Sequence, residues 1–275
     1  MNISKGLYHT IYHPRLIFIP LIVNVILTFI GVTGVYIGFT LFSFQFTDFP
    51  IPYGIPLIDK VNFTFQGTAS NWVLTSIATI AMLLLKSYAL SMYLGSMKCF
   101  LEGPDNTYSI LKIAPYYFDR MVKFSIIEFI IGGILYFLSH VFWPLTLLGI
   151  LIVLVYSLTP YIIVIEDTTV SDAIAKSPKL FIKNICTLLF LALVSLVLTY
   201  LITKIPFADK KIAYYMVTLL YSFIGTSIIF AVMNCLHRSI YKISLPSKKV
   251  KKSRKLFPPL WVAALLLPLL GALLV

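Results

Sequence analysis

Apolar residues along this 275-residue chain gather into about seven stretches, most roughly 18–25 residues long, separated by short polar gaps. At about 1.5 Å per residue, an α-helix of that length crosses the roughly 30 Å hydrocarbon layer of a bilayer. The pattern predicts helix one over 16–44, entered after Pro14, a residue suited to a helix start. Helix two follows over 71–95, helix three over 121–138 and helix four over 142–165. Helix five is expected over 184–202, helix six over 212–236 and helix seven over 257–274. Only a few residues separate helices three and four, which predicts an antiparallel hairpin. Residues 105–120 read as a short interfacial helix whose Tyr108, Ile110, Leu111, Tyr116, Tyr117 and Phe118 form an apolar, aromatic face.

The gaps carry their own signals. In the loop 45–70, Pro50, Pro52 and Pro56 with Gly54 exclude a regular helix, while Phe49, Ile51, Tyr53, Ile55 and Leu57 suit a segment lying against the membrane or the bundle mouth. Asn62-Phe-Thr64 fits a glycosylation sequon. Gly34 and Gly38 make a GxxxG pair, a spacing that lets a neighbouring helix approach closely. Three proline-led steps precede odd-numbered helices: Pro14-Arg-Leu-Ile17, Pro115-Tyr-Tyr-Phe118 and Pro178-Lys-Leu-Phe181. They suggest three helical hairpins built on one plan.

Composition agrees with the pattern. The mean hydropathy is +0.94 and 59% of residues are hydrophobic, above the roughly 45–50% of soluble domains. The fold class expected is all-α, a polytopic transmembrane bundle of about seven helices, arranged as three hairpins plus a C-terminal helix. Residues 1–246 would form the bundle, 247–256 a basic cytoplasmic linker, and 257–275 the C-terminal transmembrane helix. The first apolar run is too long for the core of a cleavable signal, so it is expected to be retained.

The net charge of +12 is distributed unevenly. Seventeen Lys and Arg residues fall on the side of the N-terminus and four on the other. By the positive-inside rule the chain is a multi-pass protein of a cell membrane, most simply a bacterial one, with its N-terminus cytoplasmic and its C-terminus outside. Lys248, Lys249, Lys251, Lys252, Arg254 and Lys255 form a basic cluster suited to anionic lipid headgroups. These charges flank membrane helices rather than decorate a soluble module, which argues against nucleic acid as a partner. Cys99, Cys186 and Cys235 share no metal-ligand spacing and read as small apolar fillers.

Two charges fall inside helices. Lys86 lies nine residues before Gly95, roughly 13 Å deep, and Glu128 lies seven residues past Met121, roughly 10 Å deep. An intramembrane charge is expensive, about 2.5–3.5 kcal/mol for a Lys, so a Lys86–Glu128 pair between helices two and three is expected. The pair could lock the two helices together, or Lys86 could snorkel to the headgroups. Alternatively the pair lines a polar cavity and gates a solute.

His9 and His13 share a helix face, but Thr10, Ile11 and Tyr12 lie between them and no third ligand follows. They read as interfacial aromatics; no metal and no cofactor is expected. No nucleophile elbow, phosphate-binding loop, zinc-protease motif or CxxC occurs. Glu166, Asp167 and Asp172 cluster in one cytoplasmic gap; Asp172 suits a helix start. Asn24, Ser87, Ser91, Asn184, Ser222, Thr226 and Asn234 suit interhelical hydrogen bonding. Pro160 marks a hinge or a static kink.

The run from Ile165 to Asn184 has acidic residues Glu166 and Asp167 at a helix end, then Asp172, Ala173, Ser177, Leu180 and Asn184. This pattern resembles the cytoplasmic step of bacterial proteins related to the glycerophosphodiester phosphodiesterase membrane domain. The resemblance spans residues 161–203 and implies a six-helix membrane domain, mostly without assigned activity. The chain has no phosphodiesterase catalytic domain, and its seventh helix departs from that plan. The opening Pro14-Arg-Leu-Ile-Phe-Ile-Pro-Leu-Ile-Val-Asn24 is similar to the first helix of sulfate-permease-like membrane proteins.

Three functions are compatible with these features. The first is a non-enzymatic integral membrane protein that assists transport or membrane assembly, with a membrane-protein partner. The second is a small-solute permease using Lys86 and Glu128. The third is a lipid-modifying enzyme at the cytoplasmic interface.

Overall fold

The computed structural model describes residues 2–37, 55–56, 72–102, 110–141, 144–204, 210–241 and 262–269. Every regular element among them is helical. In order these are α1 (Asn2–Tyr12), α2 (Arg15–Ile37), α3 (Trp72–Glu102), α4 (Ile110–Val141), α5 (Pro144–Tyr156), α6 (Thr159–Glu166), α7 (Val170–Lys183), α8 (Ile185–Lys204) and α9 (Lys210–Tyr241). Residues 262–269 add a short C-terminal helix.

Five stretches among the described residues are long and apolar enough to cross a membrane: Arg15–Gly34, Val73–Glu102, Leu147–Glu166, Ile185–Ile202 and Lys211–Tyr241. The surface agrees with a lipid setting. Leu189, Phe190, Leu193, Val197 and Leu201 on α8, and Ile130, Ile134 and Phe137 on α4, are exposed. In water such contiguous apolar surface marks an interaction site; in a bilayer it is the ordinary outer face.

α9 is the hub, packing against α1, α2, α3, α6 and α8. Every residue from Gly225 to His237 is buried. A helix enclosed on all sides needs small or apolar residues around most of its circumference, and this run supplies them at every position but Asn234 and His237. The main core gathers around it from α2, α3, α6 and α8, with Tyr93, Leu94, Met97, Tyr161, Ile163 and Phe230 among its members. Ala264 of the C-terminal helix packs against Ile17 and Leu21 of α2.

The structure revises several boundaries. Residues 110–120 of the expected interfacial helix are continuous with helix three in one element, α4, which contains Pro115, while residues 105–109 lie outside the described residues. A proline there forfeits one backbone bond. Packing on α3, the most extensive helix pairing in the fold, outweighs that loss. Ser91 Oγ donates to the Ala114 carbonyl at 2.5 Å, and Ile113 lies over Gly95. Helix two accordingly continues past Gly95 to Glu102.

Helix four is instead interrupted at Ser157 and Leu158, between α5 and α6. Pro160 is the cause: it lacks an N–H, and its ring crowds the carbonyl four residues earlier. Carbonyls near the end of α5 are taken by hydroxyls, Leu154 O by Ser157 at 2.7 Å and Val155 O by Ser177 at 2.7 Å.

α1 is an element the apolar pattern did not predict. Its inner face is Gly6 and Thr10, small and polar, so no hydrophobic run announces it. A Cβ on Gly6 would sit 2.2 Å from the Ser227 carbonyl oxygen, so the two backbones touch. Ser227 Oγ donates to Thr10 Oγ1 at 3.1 Å, and the His9 ring stacks on Phe230 at 4.7 Å between centroids. The chain turns at His13-Pro14 and returns as α2, whose Thr28 meets Tyr214 Oη at 2.7 Å.

The loop 45–70 is described only at Ile55 and Pro56, and both are buried. Asn24 Nδ2 donates to the Pro56 carbonyl at 3.2 Å, and the Pro56 ring abuts Gly225. There the loop plugs the bundle between α2 and α9. The sequon at Asn62, the Gly38 half of the GxxxG pair, the linker 247–256 and the basic cluster from Lys248 to Lys255 lie outside the described residues.

Candidate functional site

Basic side chains from α3, α4, α7 and α9 collect at one end of the bundle, where they meet acids and tyrosines. The corner between α6 and α7 is built around Asp167, whose φ of 56° places it in the left-handed region. Asp is one of the few residue types with a side chain that tolerates this conformation. The corner turns its carboxylate toward α4. Tyr116 Oη donates to Asp167 Oδ2 at 2.5 Å, and the Arg120 guanidinium pairs with Oδ1. Arg120 also lies 5.5 Å from the Tyr116 ring centroid, and Lys98 of α3 reaches Tyr117 Oη at 3.4 Å.

This clamp sets the ionisation of Asp167. Burial pushes its carboxyl up, but the Tyr116 hydroxyl and the Arg120 guanidinium together outweigh burial and hold it below its usual value. A depressed carboxyl contributes stability above its unfolded pKa of about 3.9, and that contribution disappears as pH falls through the folded value. We therefore expect the clamp to be intact at neutral pH and lost in acid below about pH 4. Arg120→Gln should cost about 1 kcal/mol or less at neutral pH, because both partners are partly exposed. It should also flatten the acid limb of the melting temperature against pH; an unchanged limb would count against the clamp.

The three carboxylates expected to cluster do not share a pocket. Glu166 pairs with Lys176. Asp167 is held by α4. Asp172 lies in the first turn of α7, where its N–H bonds Thr169 Oγ1 at 3.4 Å and its carboxylate accepts from that hydroxyl at 2.7 Å. This reciprocal cap starts the helix. The remaining positions of the run have structural tasks as well. Ala173 is fully buried, Leu180 packs on the core, and Asn184 Nδ2 ties the end of α7 to Ser239 Oγ at 3.0 Å.

Lys86 is half-buried on α3, and Glu128 is exposed on α4. Ser87 Oγ donates to Ser125 Oγ at 2.9 Å, clasping the antiparallel helices one residue from Lys86 and one turn from Glu128. The two charges therefore lie at the same level of the α3–α4 pair.

A second feature was not legible in the sequence. A narrow cleft opens between α5–α6, α8 and α9, beneath Phe181 of α7. Leu154, Leu158, Leu188, Leu191 and Val232 wall it, and Lys86 is not among its lining residues. Leu154, Ser157 and Leu158 line it where the chain breaks between α5 and α6.

Deeper in the core, Tyr93 Oη donates to Thr226 Oγ1 at 2.9 Å. Thr159 Oγ1, Ser222 Oγ and Asn234 Oδ1 are buried without a hydrogen-bond partner among the described residues. No group of His, Cys, Asp and Glu side chains able to hold a metal occurs among the described residues. His9 and His13 are occupied as rings, on Phe230 and Phe100, the latter at 4.2 Å. The side chain of His140 lies outside the described residues, and His237 is buried beside Tyr241.

In composition, burial and charge placement the chain has the character of a membrane-embedded helical bundle, and no family model, curated protein or solved structure matches it.

Proposed function

We propose that this chain is a non-enzymatic integral membrane protein that assists transport or membrane assembly by binding within the bilayer. In this reading α4 and the 257–274 segment join the five long apolar stretches, making seven crossings. The N-terminus and the clamp around Asp167 face the cytoplasm. The gathering of Lys98, Arg120, Lys176 and Lys183 at one end of the bundle supports that orientation.

One observation carries the binding role: the described cleft is walled mostly by aliphatic side chains and has no charged residue, Lys86 included, in its lining. A permeation path for a polar solute needs polar lining groups. The test is solute flux. Proteoliposomes of the full chain should pass ions and small polar solutes no faster than protein-free vesicles. Flux above that background, lost in Lys86→Met/Glu128→Leu, would overturn the reading.

A permease remains the second reading, favoured by the common level of Lys86 and Glu128. The two readings agree on one outcome. Lys86→Met alone leaves the Glu128 carboxylate without the nearby cation and should destabilise the bundle by about 2–3 kcal/mol. The double change should recover most of that loss, as measured by melting in detergent.

A further inference from the structure

The flank cleft has the properties of a site for one particular occupant. It is a narrow furrow open along one side, unlike the enclosed cavities of ordinary ligand sites. Those sites carry a few polar groups that orient the ligand. Here Leu154, Leu158, Leu191, Ala192 and Val232 offer only carbon, the Ser157 hydroxyl is engaged with the Leu154 carbonyl, and Tyr161 is the other lining side chain with a polar atom. Leu189 lines the cleft and is exposed, so the opening lies on the face of α8 that meets the bilayer.

The polar partner for an occupant lies above the cleft. α7 is amphipathic. Phe181 closes the cleft from one face, and Lys176, Lys179 and Lys183 stand on the opposite face at i, i+3 and i+7. Lys176 is held by Glu166, and Lys183 reaches the Ser239 carbonyl at 2.9 Å. Lys179 is exposed. An apolar slot beneath a row of cations at a membrane boundary matches a molecule with a hydrocarbon tail and an anionic head.

We propose that this cleft holds an acyl chain of an anionic phospholipid from the surrounding bilayer, with the phosphate of its headgroup at Lys179 and Lys183. The inference rests on the bilayer-binding reading above and names its ligand. The tail gains little by leaving the bilayer, since lipid tails are as apolar as leucine. Selectivity therefore comes from the lysines. Each Lys near an anionic headgroup is worth about fivefold in affinity.

The test uses the full chain, reconstituted in vesicles of equal phosphatidylglycerol and phosphatidylcholine and re-extracted in mild detergent. Retained lipid is then quantified by mass spectrometry. The wild type should retain phosphatidylglycerol over phosphatidylcholine by at least about fivefold. Ala192→Trp fills the cleft and should lose most of the retained lipid. If that variant fails to fold, Ala192→Leu should give a partial loss. Lys179→Gln leaves the Ser239 contact intact, keeps the tail site and should bring the ratio about fivefold closer to one.

Equal retention by wild type and a folded Ala192 variant would overturn the proposal. So would a ratio of one in the wild type, or a polypeptide occupying the cleft. Solute flux through the bundle would instead refute the bilayer-binding role. Absence of both flux and retained lipid would remove the lipid alone.

Discussion

Ile163→Ala is expected to destabilise the bundle by about 2–5 kcal/mol, with the lower part of that range more appropriate in a membrane. Ile163 is fully buried at the centre of α6, and Tyr161, Ile162, Val164 and Ile165 beside it are also almost completely enclosed. A helix of eight residues cannot stand alone; it is held by α3, α4, α7 and α9 on its sides. Truncating Ile163 leaves a cavity these neighbours can only partly fill. The transfer contribution is small, because the dissociated helix would lie among lipid tails, so the loss is mainly one of packing. Leu189→Ala is the comparison. Leu189 is 50% exposed toward the bilayer, and lipid can replace its contacts, so its effect should stay within about 0.5 kcal/mol. Thermal unfolding in detergent, followed by circular dichroism, reads both. Equal losses at the two positions would mean that α6 is not enclosed by its neighbours as described.

Gly6→Leu is expected to detach α1 from α9. The obstruction is the Ser227 carbonyl, which is backbone and cannot rotate aside, and even a Cβ would lie 2.2 Å from its oxygen. Gly6→Ala should already cost about 1–3 kcal/mol. The larger side chain leaves the helix no way to stay, and the Thr10–Ser227 bond and the His9–Phe230 stack go with it. Cysteines at positions 10 and 227, in a chain lacking Cys99, Cys186 and Cys235, should cross-link when Gly6 is present. An undiminished yield in Gly6→Leu would show that α1 is not docked in this way.

Legibility followed a physical divide. Run length and charge are local properties, so the five long apolar stretches and the basic end could be read directly. The interruption in helix four was visible as Pro160, although whether it would bend or break the helix was not. The clamp was half visible: Asp167 drew attention as part of an acidic gap and Tyr116 as part of an aromatic face, but their pairing with each other and with Arg120 did not. Tyr116 and Arg120 sit 51 and 47 positions from Asp167, and no local pattern couples them. The Asp172 cap, by contrast, spans three residues and could be anticipated. The cleft left no trace in the sequence. Its lining comes from five separate elements, and each contributes apolar residues that would look the same facing lipid.

What the amino-acid order determined alone is a membrane-embedded helical bundle with its cations gathered at one end, because helix length and hydropathy are set residue by residue. Tertiary structure decided the rest: that α9 is the hub, that α1 docks through Gly6, that α4 continues through Pro115, and that a cleft opens beside α8. In lipid the outer and inner faces of a helix are nearly equally apolar. No amphipathic stripe then announces which face turns inward, and only the packing of distant segments selects it.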